Sequence, residues 1–291
     1  MKISTEIDSI ARILSEEEAV ELVAKAGFDA WDFTMGYTMC DVNWRTKEAT
    51  VSEHPLMQKD YLAYARKLRR IGLDNGIICN QSHAPFPSSI GLVRSLVPRA
   101  IECTAEAGGE ICVVHPDEEK NMDENVEMFL EFLPFARQCG VKIAVENIFV
   151  WNNEKRVAEE CTGSLPGHLM ELIRAVNDDH FVACMDVGHA EMESLGTSAV
   201  DMIKKLGKEL CALHVHDTDK RNDSHQIPFS MDIDFEGIVK ALKETDYKGF
   251  LTLEAPYYIL EFTKDNVFEG VKTLAEAAKK LSDMFENQKT N

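Results

Sequence analysis

The sequence predicts a closed (β/α)8 barrel folded as a single domain over residues 1–291, and three observations carry that expectation. Short β-rich runs alternate with helix-period stretches eight times, the pattern of a parallel barrel. The runs are mostly continuous in apolar residues, as strands covered on both faces must be. No GxGxxG or phosphate-binding loop follows any run, which sets aside an open doubly wound sheet, and no linker or low-complexity segment divides the chain.

Strands are expected at 2–7, 30–35, 76–83, 110–116, 141–147, 181–188, 210–217 and 249–255. Helices are expected at 15–27, 60–76, 90–109, 125–140, 166–177, 198–207, 234–246 and 266–285. Gly27, Gly76, Gly108 and Gly140 stand where helices should stop, because glycine accepts the left-handed terminal conformation without strain. Ser15, with Glu18 three residues on, makes a capping box at the head of the first helix.

Composition bounds the partners. Apolar residues make up 45% of the chain, enough for a sizeable core. No apolar run approaches the roughly 18 residues that a membrane-spanning helix needs. The N-terminus lacks the basic start and apolar core of a signal peptide, so a cytoplasmic enzyme without membrane contact is expected. Fifty acidic residues against 31 basic ones leave a net charge of −19, which disfavours a nucleic-acid partner, since phosphates are held by Lys and Arg. The eight cysteines show no CxxC spacing and several lie in strand-like runs, as buried free thiols do. The sequence leaves room for a homo-oligomer.

Barrel enzymes carry their chemistry at the C-terminal ends of the strands. Here those ends hold His83 ("QSHAPFP"), His115 ("VVHPD"), Glu146 with Asn147 ("AVENI") and Asp186 with His189 ("MDVGHA"). His214 and His216 follow, with Asp223 and His225 in the next loop ("HVHDTDKRNDSH"), and then Glu254 ("LTLEAP"). Any one His or Asp of this kind is more often a cap or a satisfied core group than a ligand. Several carboxylates buried together do not, because an unpaired carboxylate is costly in the interior. A shared cation removes that cost and asks for neutral imidazoles beside it. Strand parity places residues 212, 214 and 216 on one face, which points to His214 as a ligand and to His216, nearer the loops, as a supporting or substrate-binding group. Trp31, Phe33, Phe86, Trp151 and Tyr257 stand near strand ends, where they could stack on a substrate.

In this order the motifs resemble those of the xylose isomerase-like barrel superfamily, which includes sugar isomerases and epimerases, inosose dehydratases and the endonuclease IV type of DNA-repair enzyme. The resemblance covers essentially the whole chain. It implies a metal site at Glu146, Asp186, His214 and Glu254, as in ketose 3-epimerases, with Glu146 and Glu254 also moving the proton. The endonuclease IV pattern would add His83 and His115 for one further zinc, and His189, Asp223 and His225 for another; all these positions are filled. Two stretches depart from that pattern: "DVGH" stands where it has Asp-Thr-Cys-His, and "HVHD" where it has His-Leu-Asn-Asp. The loop "IPFSMDIDF" resembles the epimerase branch, although Phe229 and Asp232 replace its glycines. The expected activity is therefore a sugar isomerase or epimerase using one divalent ion (Mn²⁺, Mg²⁺, Co²⁺ or Zn²⁺). Its substrate is a sugar or polyol, held by His189, His225, His83, His115, His216 and Trp151. Zinc-dependent cleavage of abasic DNA and inosose-type dehydration are the alternatives.

Overall fold

The computed structural model describes residues 1–288 and contains the expected barrel. Its eight parallel strands are β1 (Ile3–Glu6), β2 (Ala30–Thr34), β3 (Ile78–His83), β4 (Ile111–Val114), β5 (Lys142–Glu146), β6 (Phe181–Asp186), β7 (Leu210–His214) and β8 (Leu251–Leu253). Neighbours pair in chain order, and β8 pairs with β1. The circle closes between β7 and β8 through a parallel bridge from Val215 to Leu253, with Glu254 N–H donating to the Val215 carbonyl at 3.0 Å.

The surrounding helices are α1 (Glu16–Ala26), α2 (Tyr61–Asp74), α3 (Val97–Ala107), α4 (Met122–Cys139), α5 (Pro166–Val176), α6 (Ala199–Leu206), α7 (Phe235–Glu244) and α8 (Val267–Asn287). Ser15 caps α1 as the sequence indicated, its side chain accepting from Glu18 N–H. The helix expected over 90–109 is broken: Gly91–Ser95 forms a short helix of its own, and α3 starts at Val97 with Pro98 in its first turn, where a missing N–H costs nothing. Helix α4 starts at Met122, earlier than expected, because Asn121 and Glu124 form a reciprocal capping box. The strand expected to run to 188 stops at Asp186, whose carboxylate accepts from His189 N–H and so starts the short helix Val187–Ala190. No helix among the described residues is long and apolar enough to cross a membrane.

Two antiparallel hairpins, unforeseen from the sequence, rise beside the C-terminal mouth: Cys40–Asn43 with Glu48–Val51 after β2, and Val150–Asn152 with Val157–Glu159 after β5. Their turns share one device. Asn43 and Asn152 each accept two backbone N–H groups with the side-chain oxygen, and Lys47 and Arg156 take left-handed φ values of 55° and 54°. The core lies between strands and helices. Trp31 and Phe33 are fully buried, 5.3 Å apart between ring centroids, so neither reaches the mouth where a sugar could stack. The reason is parity: their neighbours Asp32 and Thr34 take the lumen side of β2, and the aromatic rings take the other. All eight cysteines are free, five of them buried.

Candidate metal centre and substrate pocket

Two-residue parity builds the site as stacked rings inside the barrel. The upper ring holds Glu6, Thr34, His83, His115, Glu146, Asp186, His214 and Glu254, one from each strand end in turn. The lower ring holds Ser4, Asp32, Gln81, Val113, Ala144, Cys184, Ala212 and Thr252.

Glu146 is the centre of the upper ring. His83 Nε2 and His115 Nε2 each lie 3.0 Å from its Oε2, and His214 Nδ1 lies 2.7 Å from its Oε1. Burial alone would raise the Glu146 carboxyl, but the charge on His214 and bonds from His115, His214 and His83 outweigh it and hold the group well below the usual carboxylate range. Burial likewise opposes charge on His214, yet the neighbouring Cys184, Glu254 and Glu146 raise it well above an ordinary imidazole. Ligand atoms of Glu146, Asp186, His214 and Glu254 all lie within 4.8 Å of one another. Asp186 is clamped through its main chain, its N–H donating to Asn147 Oδ1 at 2.8 Å and its carbonyl accepting from Asn147 Nδ2 at 2.9 Å. Asp186 Oδ1 meets His216 Nε2 at 3.0 Å, and Asp186 Oδ2 is buried with no hydrogen-bond partner.

That unpartnered oxygen, in a set of three carboxylates and one imidazole, fits a divalent cation; an interior this acidic otherwise depends on imidazolium charge. Cys184 Sγ, 3.9 Å from His214 Nδ1, is a poor competitor, because burial pushes its thiol up to about 12.

A second group stands beside the first. His225 Nε2 is 3.1 Å from Asp223 Oδ1, and His189 Nε2 is 3.5 Å from Asp223 Oδ2. Burial is outweighed by Asp223, which raises His225 to about 10; Asp186 and Asp223 raise His189 in the same way. His83, His189 and His225 all donate Nδ1–H to a backbone carbonyl, of Ala84, Asn147 and Glu254 respectively, at 2.7 to 3.1 Å. The other nitrogen of each is thereby turned toward the lumen, the orientation that metal-binding imidazoles take.

The structure departs from expectation at His216. Placed nearer solvent by the sequence reading, it is fully buried, stacked on His225 at 3.8 Å, and absent from the walls of the cavity. Gly188 makes the room: a Cβ there would sit 2.0 Å from the His216 ring. His216 therefore supports Asp186 and His225 from behind.

Above the rings opens a cavity of about 430 Å³, lined by His83, His115, Glu146, His189, His225 and Glu254 among others, with Phe86, Trp151 and Tyr257 on its walls. The sequence reading missed Glu6, Thr34, Tyr37, Trp44 and Phe149, which line it too. It also missed Asp32 in the lower ring, whose Oδ2 lies 3.4 Å from His214 Nε2. Phe229 takes φ 71°, a left-handed value at a position where the epimerase branch has glycine.

Residues 20–284 match the family model of the xylose isomerase-like TIM barrel. The chain belongs to this family. Among curated relatives, an uncharacterized protein of Methanocaldococcus jannaschii is 26% identical over 254 residues, 81% of this chain and 78% of that one. An inosose isomerase of Bacillus licheniformis is 27% identical over 158 residues, 52% of each chain. Among solved structures, a D-tagatose 3-epimerase-like protein superposes with a TM-score of 0.70 at 21% identity, covering 97% of this chain and 99% of that one. An L-ribulose 3-epimerase gives 0.72 at 14% identity, covering 98% and 95%. At these identities the structural likeness is one of fold.

Proposed function

We propose that this member of the family is a divalent-metal-dependent sugar isomerase or epimerase. The observation that carries the reading is the set of four donors, Glu146, Asp186, His214 and Glu254, converging around a buried carboxylate oxygen with no partner of its own. The names of its relatives, an inosose isomerase and ketose 3-epimerases, agree with it.

The cation would supply a Lewis acid for the carbonyl and adjacent hydroxyl of a ketose, making the neighbouring C–H acidic. The chain's own part is proton transfer and positioning. Glu146 on β5 and Glu254 beyond β8 stand three strands apart around the ring. One removes the proton from the carbon beside the carbonyl, and the other returns it from the opposite face. An aldose–ketose isomerase needs only one of the two as its base. His189 and His225, held by their carbonyl bonds, offer Nε2 to substrate oxygens, and Trp151 covers the sugar from the rim.

A second reading rests on a different observation. Nine donors stand together, and three of the imidazoles beyond the four-residue set are aimed by carbonyl bonds. Such a set suits three zinc ions and phosphodiester hydrolysis, although the acidic chain disfavours DNA.

Two measurements decide between the readings. Metal analysis of protein purified without chelator should give one divalent ion per chain; three zincs with nicking of abasic duplex would favour the second. Ketoses incubated with the metal-loaded protein in D₂O should gain deuterium at C3 for an epimerase, or at C1 or C2 for an isomerase. Glu146→Gln and Glu254→Gln should each abolish that exchange while the protein still melts cooperatively, and near-normal exchange in either would sink the mechanism. Loss of water from a cyclic polyol, without exchange into ketoses, would mark a dehydratase.

A further inference from the structure

The rim of the cavity carries more aromatic surface than a single small sugar uses. Three large aromatic side chains among the described residues are about half exposed, Tyr37 (47%), Trp44 (55%) and Tyr257 (55%), and all three line this one cavity. Exposed rings scattered singly mean little, but a cluster around one polar-rimmed opening marks a binding surface. The rings on the β2 side connect to the donor ring. Phe86 packs 5.1 Å from His83 and 4.9 Å from His115, and Tyr37 and Trp44 lean on its outer side at 5.7 and 6.1 Å. Gly36 permits this arrangement, since a Cβ there would lie 2.7 Å from the Phe86 ring. Trp44 itself stands in the turn of the first hairpin, above the layer where the metal donors sit.

Charge narrows what can rest there. Among the described residues the lining lysine and arginine are Lys47 and Arg12, and both are taken: Arg12 pairs with Asp8 at 2.7 Å while covering the Tyr37 ring, and Lys47 pairs with Glu119; the charged imidazoles His189 and His225 are paired with Asp223. Glu118 and Glu119 face the same opening and can accept hydrogen bonds from hydroxyls. On the platform of Tyr37, Trp44 and Phe86, a phosphate or carboxylate would meet Glu118 and Glu119 with no unpaired lysine or arginine. A pyranose ring meets what it needs, a flat apolar surface for its C–H face and acceptors for its edge.

We infer that the substrate is an uncharged glycoside of at least two sugars, with the reacting sugar at the donor ring and the next ring on the platform of Tyr37, Trp44 and Phe86. The inference rests on the sugar reading above and deepens it.

The test titrates the metal-loaded full chain with a panel of common hexoses, the same hexoses as disaccharides, as phenyl glycosides and as 6-phosphates, following tryptophan fluorescence and heat. Some disaccharide should bind about ten-fold tighter than its free hexose, the gain of roughly one aromatic contact. Trp44→Ala should remove that gain and Trp44→Tyr should keep most of it, with melting temperatures unchanged because the ring is exposed. No gain for any disaccharide overturns the inference, as does a gain untouched by Trp44→Ala. A gain confined to phenyl glycosides, or tightest binding by phosphates, overturns it as well. Deuterium exchange into free ketoses without a disaccharide gain would leave the isomerase reading standing and remove this one. A Trp44-dependent gain with no exchange into any sugar would do the reverse.

Discussion

Beneath the proposed metal donors the barrel lumen is made of two chemistries. On β4 to β7 the lower ring is Val113, Ala144, Cys184 and Ala212, a small buried apolar cluster with Val182. On β8 and β1 to β3 it is Thr252, Ser4, Asp32 and Gln81, joined by hydrogen bonds. Asn80, the extra residue where the β2–β3 register shifts, reaches into this half and bonds Ser4, Gln81 and Thr252. The apolar half offers Glu146 and Asp186 no polar partner from below, so their charges are answered from within the upper ring at Glu146 and by His216 and His189 at Asp186. The polar half does the opposite for His214: its single carboxylate, Asp32, reaches across the lumen to the face of the imidazole turned away from Glu146. A carboxylate behind a ligating histidine fixes the ring and strengthens it as a ligand.

Exchanging the chemistry of either half tests this contrast, and the largest effect is expected at Asp32. Its Oδ2 accepts from Gln81 Nε2 at 2.9 Å, its Oδ1 accepts from Thr34 Oγ1 at 3.1 Å, and His214 Nε2 stands beside it. All three neighbours can present hydrogens, so the position wants a group that only accepts. Asp32→Asn must aim an amide N–H at one of them. Metal affinity, measured by competition with a chelating dye, should fall about 10- to 100-fold. The melting temperature of chelated protein should move far less than that of metal-loaded protein. Equal affinity in the variant would show that Asp32 does not support His214.

A smaller effect is expected in the apolar half. Ala144 sits below Glu146 on β5, paired in register with Val113 and Val182, with no acceptor among those side chains. Ala144→Ser would bury a hydroxyl there, at a cost of about 1–3 kcal/mol if it finds no partner. Urea titration should show that loss with an unchanged slope. A variant as stable as the parent would mean that the floor under Glu146 is neither dry nor closed.

The two halves were not equally legible in the sequence. The upper ring on β4 to β8 stood out because each imidazole or carboxylate ends a mostly apolar run, where a surface explanation is weak, and His83 on β3 stood out by the same place at its strand end. Glu6 and Asp32 were passed over for different reasons. Glu6 lies in "STEIDS", which reads as the polar edge of a short strand, although it shares parity with the buried Ser4. Asp32 lies between Trp31 and Phe33, and the aromatic residues drew attention that the carboxylate deserved; a lone acid inside "AWDFT" has the lumen parity and the aromatics do not. The hairpins carry little apolar alternation: the strands of the first are largely exposed, and those of the second are three residues long and mostly half-buried. Their Asn turns were the available signal.

An effect that is absent near pH 4.5 and grows only with pH is expected at Glu6, on the β1 side of the polar half. Its carboxylate is buried, accepts from Ser9 N–H at 2.9 Å and bonds the Ser9 hydroxyl. Burial first, then the charge of Asp8, raise it from an ordinary 4.5 to about 8, against the pull of the Ser9 bonds. The folded chain therefore holds this proton where the unfolded chain has released it. The contribution of Glu6 to stability should fall steadily as pH rises from about 4.5 to about 8, and level off above that. Glu6→Gln keeps an acceptor for the Ser9 N–H and a donor for its hydroxyl, but has no proton to lose. In chelated protein the variant should melt within a degree of the parent near pH 4.5, then gain on it progressively, reaching several degrees above pH 8. A constant difference across that range would mean that Glu6 ionises normally, and that the β1 side of the mouth carries one more negative charge than the structure implies.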